Sequence, residues 1–434
     1  MTETTVELMA RLAEGSMTIG DAEVTLSQEQ IRDHIVESLA TLDFDGKSVA
    51  LVVPDATRSV PMGKLLPSVH EALTGRAREV KVLIALGTHQ AMSEQAIGKF
   101  LGFEPGNIEG TYPGWTVHNH EWWEDGTFAD LGTMPAEQVS EYSGGRLQDV
   151  PMRVLINKMV VEADVSLVVG PVLPHEVVGM SGGNKYFFPG LSGHDVIDLS
   201  HWVGALISSF EMIGTRGITP VRALVNAATE RIPGEKYCVA VVTEAGTNEL
   251  HSVSVGTTVQ AWAAASDIAA ASHITYLDRP YKKVVSLIPE MYEDVWTVAK
   301  GFYKLEPVVE DGGELILYAP HITTISEMHP GLAKIGYHNR DYFVKQWDKF
   351  KDHPWGELAH STHLRGLRTF DPETGEEKNR VTVTLASQVP QDVVESYNLK
   401  YMDPADVDVD ELAKDPDVLI VPNAGEVLHR LKGQ

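Results

Sequence analysis

The sequence predicts an α/β fold with two domains, each built on a mainly parallel sheet, and an active site in the cleft between them. Short apolar runs alternate with helix-like segments, which is typical of parallel sheets covered on both faces. The chain of 434 residues also exceeds the roughly 250–300 residues at which a single core stops growing. We expect an N-terminal α/β domain over residues 1–272 and a C-terminal α/β domain over residues 273–434. The last segment either stays in the second domain or returns to the first.

Apolar runs that end at Gly or Pro predict the buried strands. In the first domain these are residues 48–58 (SVALVVPDATR), 80–89 (VKVLIALGTH) and 164–175 (DVSLVVGPVLPH). Helices are predicted over residues 61–74, 93–102 and the Ala-rich stretch 256–273. In the second domain the same alternation predicts strands over 283–289, 314–321 and 418–426, with a helix over 291–300.

The composition narrows the function classes. With 35 Lys+Arg against 61 Asp+Glu, the net charge of −26 disfavours binding to nucleic acid and to anionic membranes. A single cysteine, Cys238, permits neither an intramolecular disulfide nor a cysteine-cluster metal site. The N-terminus is acidic where a secretory signal would be basic, and no apolar stretch approaches a membrane span. We expect a cytoplasmic protein that acts on a small molecule.

Polar side chains follow the first three predicted strands. Asp55 and Arg58 follow the first, His89 the second and His175 the third. Because ligands bind at the carboxyl ends of parallel strands, we expect these groups to converge on one site. Two imidazoles suit acid/base chemistry on either side of a small ligand, and an arginine grips a carboxylate. Taken singly, each has a structural alternative, such as a helix cap, a surface ion pair or a buried histidine.

A Gly-rich segment, residues 175–202, follows the third strand. Gly182 and Gly183 precede Lys185 in a pattern that is neither a Walker A loop nor a GxGxxG fingerprint. Such a loop lets the backbone approach a ligand, and the alternative is a flexible surface loop. A partly buried Lys185 with a lowered pKa would be a nucleophile. His194 and His201 are two helical turns apart, which is not the spacing of a helical metal pair.

Four features can be taken together: DATR (55–58), GTH (87–89), PHEVVGMSGGNKYFFPG (174–190) and His201. They resemble the nickel-dependent lactate racemase family, whose members are 2-hydroxyacid racemases and epimerases. The motifs occur in the family's order over most of the chain. The resemblance implies a nickel-pincer nucleotide, a pyridinium-3,5-bisthiocarboxylic acid mononucleotide, tethered to Lys185, with His201 as the protein's nickel ligand. Proteins of cofactor biosynthesis would then act in trans. The lone cysteine is no obstacle, because the cofactor brings its own sulfur atoms.

The resemblance also implies the residue roles and the reaction. The enzyme would invert C2 of a 2-hydroxy acid: a histidine takes the hydroxyl proton while the C2 hydrogen leaves as hydride to the cofactor. The planar keto acid then reorients before hydride returns. The implied roles are catalysis by His89 and His175, substrate binding by Arg58, Lys300 and Asp55, and cofactor binding by Lys185, Gly182, Gly183 and Trp355.

The chain departs from the lactate enzymes of the family at Trp296 and Thr297, where these typically show Tyr-Gln. Both positions would lie near the substrate side chain, so a 2-hydroxy acid larger or differently polar than lactate is predicted. Two other classes remain open: a zinc hydrolase using the strand-end histidines, and a non-catalytic carrier of the cofactor or of an organic acid. His194 is interpreted as supporting the site or structural. His118 and His120 are interpreted as a surface turn or domain-interface packing.

Overall fold

The computed structural model describes residues 3–87, 89–366 and 368–433. By packing, the chain divides into two compact units. Unit 1 comprises Met1–Leu173, Met180–Ile197 and Arg216–Ser272, and unit 2 comprises Pro174–Gly179, Asp198–Thr215 and His273–Gln434. The predicted division into residues 1–272 and 273–434 is therefore wrong for two short segments that precede residue 272. They belong to unit 2, where, for example, the Arg340 guanidinium donates to the Leu206 carbonyl at 2.9 Å.

The strands are short and spread along the whole chain. They lie at β1 (Met17–Gly20), β2 (Ser48–Pro54), β3 (Glu79–Ala85), β4 (Trp115–Asn119), β5 (Phe128–Met134), β6 (Met152–Asn157), β7 (Val165–Pro171), β8 (Pro174–His175), β9 (Gly179–Met180), β10 (Glu235–Thr243), β11 (Leu250–Thr257), β12 (Ile274–Leu277), β13 (Tyr281–Leu287), β14 (Val309–Ala319), β15 (Arg368–Phe370), β16 (Glu377–Asn379), β17 (Thr382–Ser387), β18 (Lys400–Met402), β19 (Val418–Val421) and β20 (Leu428–Leu431).

The helices alternate with these strands. They lie at α1 (Thr5–Ala13), α2 (Gln28–Ala40), α3 (Met62–Leu73), α4 (Glu94–Leu101), α5 (Ile108–Thr111), α6 (Ala136–Tyr142), α7 (Lys158–Glu162), α8 (His194–Ile207), α9 (Ser209–Met212), α10 (Pro220–Thr229), α11 (Thr258–Ser272), α12 (Val295–Val298), α13 (Lys300–Tyr303), α14 (Leu332–Ile335), α15 (Arg340–Val344), α16 (Trp347–Phe350), α17 (Trp355–His363), α18 (Gln391–Ser396) and α19 (Val409–Leu412). Single 3₁₀ turns lie at Asp125–Thr127, Gly183–Tyr186, Glu306–Val308 and Pro404–Asp406. Among the residues described, no helix is long and apolar enough to cross a membrane.

The main sheet of unit 1 has the strand order β1-β11-β10-β7-β2-β3-β4. The strands from β10 to β4 are parallel to one another, and β11 is antiparallel to both of its neighbours. Every residue of β2 and β7 is buried, as the continuous apolar runs predict. The predicted α/β class with a mainly parallel sheet is confirmed. The three predicted strands are β2, β3 and β7, which lie side by side with their carboxyl ends at one edge.

Unit 2 holds a fully parallel sheet in the order β18-β17-β14-β13-β19. The last segment stays in unit 2, because β19 pairs with β13 and β20 pairs with β12. The helix predicted over residues 291–300 is shorter and interrupted, and its first regular turn is α12. The reason is local: the Asp294 carboxylate accepts the Thr297 N–H at 2.9 Å and so caps a helix that starts at Val295.

Candidate active site

Asp55 and His89 meet at the carboxyl edge of the unit 1 sheet. Asp55 directly follows β2, and His89 lies four residues beyond β3. The Nδ1 atom of His89 is 2.5 Å from Oδ2 of Asp55, so the ring donates its Nδ1–H to the carboxylate. That bond leaves the Nε2 lone pair of a neutral His89 available to take a proton. The predicted convergence of these two strand ends is therefore present, while Thr88 lies outside the described residues.

The Asp55 carboxylate is buried yet ionised. Burial alone would raise its pKa, but the charge and hydrogen bond of His89, the Thr57 hydroxyl and the Arg58 charge together hold that pKa well below its ordinary value. Thr57 donates its hydroxyl to Oδ1 at 2.6 Å and its backbone N–H to the same oxygen at 3.1 Å. Asp55 is 4% exposed, so its charge acts in a poorly screened environment. The site thus holds a fixed anion behind a titratable imidazole.

Lys185 lies on a 3₁₀ turn, Gly183–Tyr186, beside the same sheet edge. The Tyr186 hydroxyl reaches the carbonyl of Pro171, the last residue of β7, at 3.5 Å. Burial raises the pKa of Tyr186 well above its ordinary value, and the Arg58 charge acts on the same ring in the opposite direction. The Gly87 N–H, just after β3, donates to the Gly190 carbonyl at 3.0 Å. The turn that carries Lys185 is therefore held close to Arg58 and Asp55 by the ends of β2, β3 and β7.

A buried arginine fixes the shape of the loop before Lys185. Arg222, on α10, is 1% exposed and donates to the carbonyls of Met180 and Gly182, the latter at 3.0 Å. Its guanidinium lies 4.3 Å from the centre of the Trp262 ring. Burial lowers the pKa of Arg222 to about 9. An arginine within an amphipathic helix gives no local signal of burial, so the role of Arg222 could not be predicted from the sequence.

Gly182 and Gly183 are required by packing within the protein itself. Both have positive φ, at 84° and 57°. A Cβ on Gly182 would lie 2.6 Å from Val172, and one on Gly183 would lie 2.8 Å from Trp262. Their small size thus lets the loop pack on its own unit, whereas their predicted contact with a cofactor stays a prediction.

In unit 2, His175 has two partners at one ring atom. The Val177 N–H donates to Nδ1 at 3.1 Å, and Oε2 of Glu176 lies 3.2 Å from the same nitrogen. The ring is 5% exposed and lies in the two-residue strand β8. Glu176 was not singled out in the sequence, because a glutamate beside a histidine carries no signal of its own.

His201 lies on α8, one turn after Asp198. The Asp198 carboxylate accepts the Gly356 N–H at 2.8 Å and so caps the start of α17 in unit 2. The last residue of α17, His363, is 4% exposed, and burial together with the His201 charge lowers its pKa to about 3. Nε2 of His363 has no hydrogen-bond partner among the residues described. His360 and His363 are three residues apart, and this spacing predicts two histidines on one face of α17.

A stack of three rings surrounds Trp296. Its indole lies between the imidazoles of His329 and His360, with ring centres 3.7 Å away on either side. His360 also points its Nε2 at the Trp296 carbonyl, 3.0 Å away. Burial lowers the pKa of His360 to about 3, so this imidazole is neutral. Both faces of Trp296 are therefore covered, and only the edge of its ring can meet a ligand.

Lys300 and Thr297 differ in what their polar groups do. The Lys300 Nζ lies 4.9 Å from the centre of the Tyr292 ring, a cation–π contact. The Thr297 hydroxyl donates to Oδ1 of Asp294 at 2.8 Å, and Thr297 is 9% exposed. The helix cap occupies this hydroxyl, which argues against a direct bond to substrate.

The remaining predicted residues have plainer settings. Trp355 begins α17, and its indole N–H donates to the Lys351 carbonyl at 2.9 Å. His194 is exposed and lies edge-on to Trp122, with ring centres 5.2 Å apart. His118 contacts the Thr116 hydroxyl at 3.0 Å.

The surface-turn interpretation is wrong for His120. This residue is fully buried, and its Nε2 and Nδ1 contact the Ser192 carbonyl and the Asn157 amide, each at 3.2 Å. The apolar and amide surroundings explain the burial of a neutral imidazole at this position.

Comparisons with known proteins point to one family. A family model of the lactate racemase N-terminal domain matches residues 21–213. The lactate racemase of Thermoanaerobacterium thermosaccharolyticum is 28% identical over 218 residues, which is 48% of this chain and 46% of that protein. The chain thus spans about half the length of this curated relative.

Solved structures extend the likeness to nearly the whole chain. A crystal structure of a Thermotoga maritima protein is 31% identical, with a TM-score of 0.86 over 94% of this chain and 99% of that one. The lactate racemase apoprotein of T. thermosaccharolyticum shares the fold, with a TM-score of 0.68 and 17% identity over 99% of this chain and 93% of that one. Residues 21–213 of the chain thus match the lactate racemase N-terminal domain, and nearly the whole chain shares the fold of the lactate racemase apoprotein.

Proposed function

We propose that this protein is a racemase or epimerase that inverts C2 of a 2-hydroxy acid, using a nickel-pincer nucleotide tethered to Lys185. The observation that carries the proposal is the Asp55–His89 pair, which shares its sheet edge with Arg58 and the turn of Lys185. A base, a carboxylate-binding cation and a nucleophilic amine in one place suit a small hydroxy acid and a covalently held cofactor. The match of residues 21–213 to the lactate racemase N-terminal domain supports an isomerase.

The residues present fit the cofactor. Cys238 is buried and burial raises its pKa to about 12, so the chain offers no thiolate and the sulfur ligands would come from the cofactor. Imidazole is a suitable nickel ligand, which fits His201 as the protein's contribution. Among the residues described, the buried Nε2 of His363 has no hydrogen-bond partner, and the charge of His201 acts on this ring, which supports a metal or cofactor near His201. When bound, the cofactor supplies the acceptor and donor for the C2 hydrogen.

The protein's own residues handle the substrate's charge and its hydroxyl proton. His89 takes that proton at Nε2, because Asp55 holds the ring with its proton on Nδ1. The resulting imidazolium faces a buried carboxylate that stays ionised. Arg58 and Lys300 bind the substrate carboxylate and keep it bound while the planar keto acid reorients. His175 serves the opposite enantiomer, and Trp355, Gly182 and Gly183 adjoin the cofactor.

The substrate is proposed to differ from lactate. Trp296 is held rigidly between two imidazoles, so it presents a fixed aromatic edge where a flexible polar arm would otherwise lie. Thr297 uses its hydroxyl for its own helix. A 2-hydroxy acid with a longer or differently polar side chain fits these residues better than lactate.

A substrate panel tests the function. Full-length protein, made in cells that also produce the proteins of cofactor biosynthesis, is incubated with single enantiomers of 2-hydroxy acids, and the products are separated by chiral chromatography. We expect inversion of at least one acid, and a loss of about 10²–10⁴-fold in His89→Gln and His175→Gln. His118→Gln, which changes a histidine whose ring contacts the Thr116 hydroxyl, is the matched control.

The outcomes separate the three functional classes. Cofactor-loaded protein that inverts no acid would support a carrier. An unmodified chain that binds zinc and hydrolyses esters would support the hydrolase. That alternative needs at least three protein ligands, and no such group of His, Cys, Asp or Glu forms within residues 3–87, 89–366 and 368–433.

A further inference from the structure

The Nδ1 atom of His175 lies between a donor and an acceptor that it cannot satisfy together. The Val177 N–H points at it from 3.1 Å, and Oε2 of Glu176 lies 3.2 Å away. If Nδ1 is unprotonated, it accepts from Val177 and faces the carboxylate with a lone pair. If Nδ1 is protonated, it gives up the Val177 bond and faces the Glu176 carboxylate, 3.2 Å away, as an ion pair. The ring therefore has two hydrogen-bonding states that differ by the position of one proton.

These two states differ in the chemistry available at the opposite nitrogen. A neutral His175 that accepts from Val177 carries its proton on Nε2, so Nε2 cannot act as a base. A neutral His175 that donates to Glu176 has an unprotonated Nε2, which can take a proton. The doubly protonated ring needs an acceptor for Nδ1–H, and the Glu176 carboxylate lies 3.2 Å from that nitrogen. Glu176 thus favours two forms of His175: the neutral ring whose Nε2 can take a proton, and the doubly protonated ring that results.

His89 has no such choice. Its Nδ1 contacts the Asp55 carboxylate at 2.5 Å, and Asp55 is 4% exposed and kept ionised by its neighbours. The Glu176 side chain is more accessible, at 17%, and its carboxylate oxygen lies farther from the ring nitrogen, at 3.2 Å. On α17, the Glu176 charge acts on His360, but burial keeps this imidazole neutral, so it does not compete as a cation for the Glu176 carboxylate.

We propose that Glu176 is a positioning residue that sets which nitrogen of His175 carries the proton, and so makes this histidine competent as a base. The competition between Val177 and Glu176 at Nδ1 stands on the geometry alone. Its part in turnover rests on the proposed function. Glu176 would then do for His175 what Asp55 does for His89.

Nuclear magnetic resonance of the full chain, labelled with ¹⁵N only at histidine, tests the proposal. The ring nitrogen shifts report both the tautomer and the pKa of His175, and the signals are assigned with His175→Gln. In the wild type we expect Nδ1 to be protonated in a substantial share of the neutral ring. In Glu176→Gln we expect the pKa of His175 to fall by about one unit or more, because the carboxylate charge is lost. Glu373→Gln, at an exposed position of the same unit, is the control and should change neither quantity.

An unchanged pKa and tautomer of His175 in folded Glu176→Gln would overturn the proposal. If that variant does not fold, the wild-type spectrum decides, because a neutral ring protonated only on Nε2 would also overturn it. Glu176→Asp should give a smaller fall than Glu176→Gln. In cofactor-loaded enzyme, Glu176→Gln should lower kcat by about tenfold with little change in KM, while the cofactor content stays the same. Wild-type enzyme without turnover would refute the proposed function and leave the spectroscopic result standing.

Discussion

Replacing Asp55 by Asn tests the base assigned to His89. The side chains have the same shape, but the amide has no negative charge and presents an N–H₂ group to Nδ1 of His89. The ring would then carry its proton on Nε2, the wrong nitrogen for a base. A charge pair 2.5 Å apart, at an effective dielectric constant of about 20, interacts by about 5–7 kcal/mol. At 1.36 kcal/mol per factor of ten, the loss of this interaction energy corresponds to a fall in kcat of about 10⁴–10⁵-fold. Because Asn keeps some of the hydrogen bonds, the expected fall in kcat is about 10³–10⁴-fold.

The assay measures kcat for inversion by chiral chromatography on protein whose cofactor content has been equalised by intact mass. Thr57→Val is the matched control, because it removes a neutral hydroxyl from the same carboxylate and leaves the charge in place. We expect it to lower kcat by about tenfold or less. A folded, cofactor-loaded Asp55→Asn variant with kcat within tenfold of the wild type would refute the assignment of His89 as a base oriented by Asp55.

Three further predictions concern stability and the substrate. Arg222→Met should lower the free energy of unfolding, measured in urea, by about 3 kcal/mol, because two buried carbonyls lose their donor. A change below about 1 kcal/mol would contradict the structural role of Arg222. Thr297→Val should lose about 1 kcal/mol of stability without changing KM, since its hydroxyl bonds to Asp294, whereas a tenfold rise in KM would place the hydroxyl on the substrate. Burial lowers the pKa of His120 to about 4, below its unfolded value near 6.5, so its contribution to stability is present above pH 6.5 and is lost as the pH falls towards 4. Between pH 6.5 and 4, the free energy of unfolding should therefore fall more steeply in the wild type than in His120→Gln, by up to about 1.4 kcal/mol per pH unit. Equal slopes in the two proteins would contradict a buried, neutral His120.

The edge of the unit 1 sheet could be predicted because its signals are local. Continuous apolar runs ending at Gly or Pro mark β2, β3 and β7, and parallel strands bring their carboxyl ends together. That rule was enough to expect Asp55 near His89. For His175, which follows β7 in sequence and belongs to unit 2, the convergence stays a prediction.

The histidine-rich part of unit 2 depends on distant parts of the chain. Asp198 on α8 caps α17, which carries His363, and this contact joins residues far apart in sequence. The prediction that the helix starts at residue 291 was wrong for a different reason. A side-chain cap at Asp294 determined the helix start, although apolar spacing had favoured an earlier one.

The most direct test of the account is the mass of the intact chain together with its metal content, measured on protein made alongside the proteins of cofactor biosynthesis. The account predicts a covalent adduct that peptide mapping places on Lys185, about one nickel per chain, and loss of the adduct in Lys185→Ala. His201→Ala should keep the adduct and lose the nickel. An unmodified Lys185 in protein that nevertheless inverts a 2-hydroxy acid would contradict the account.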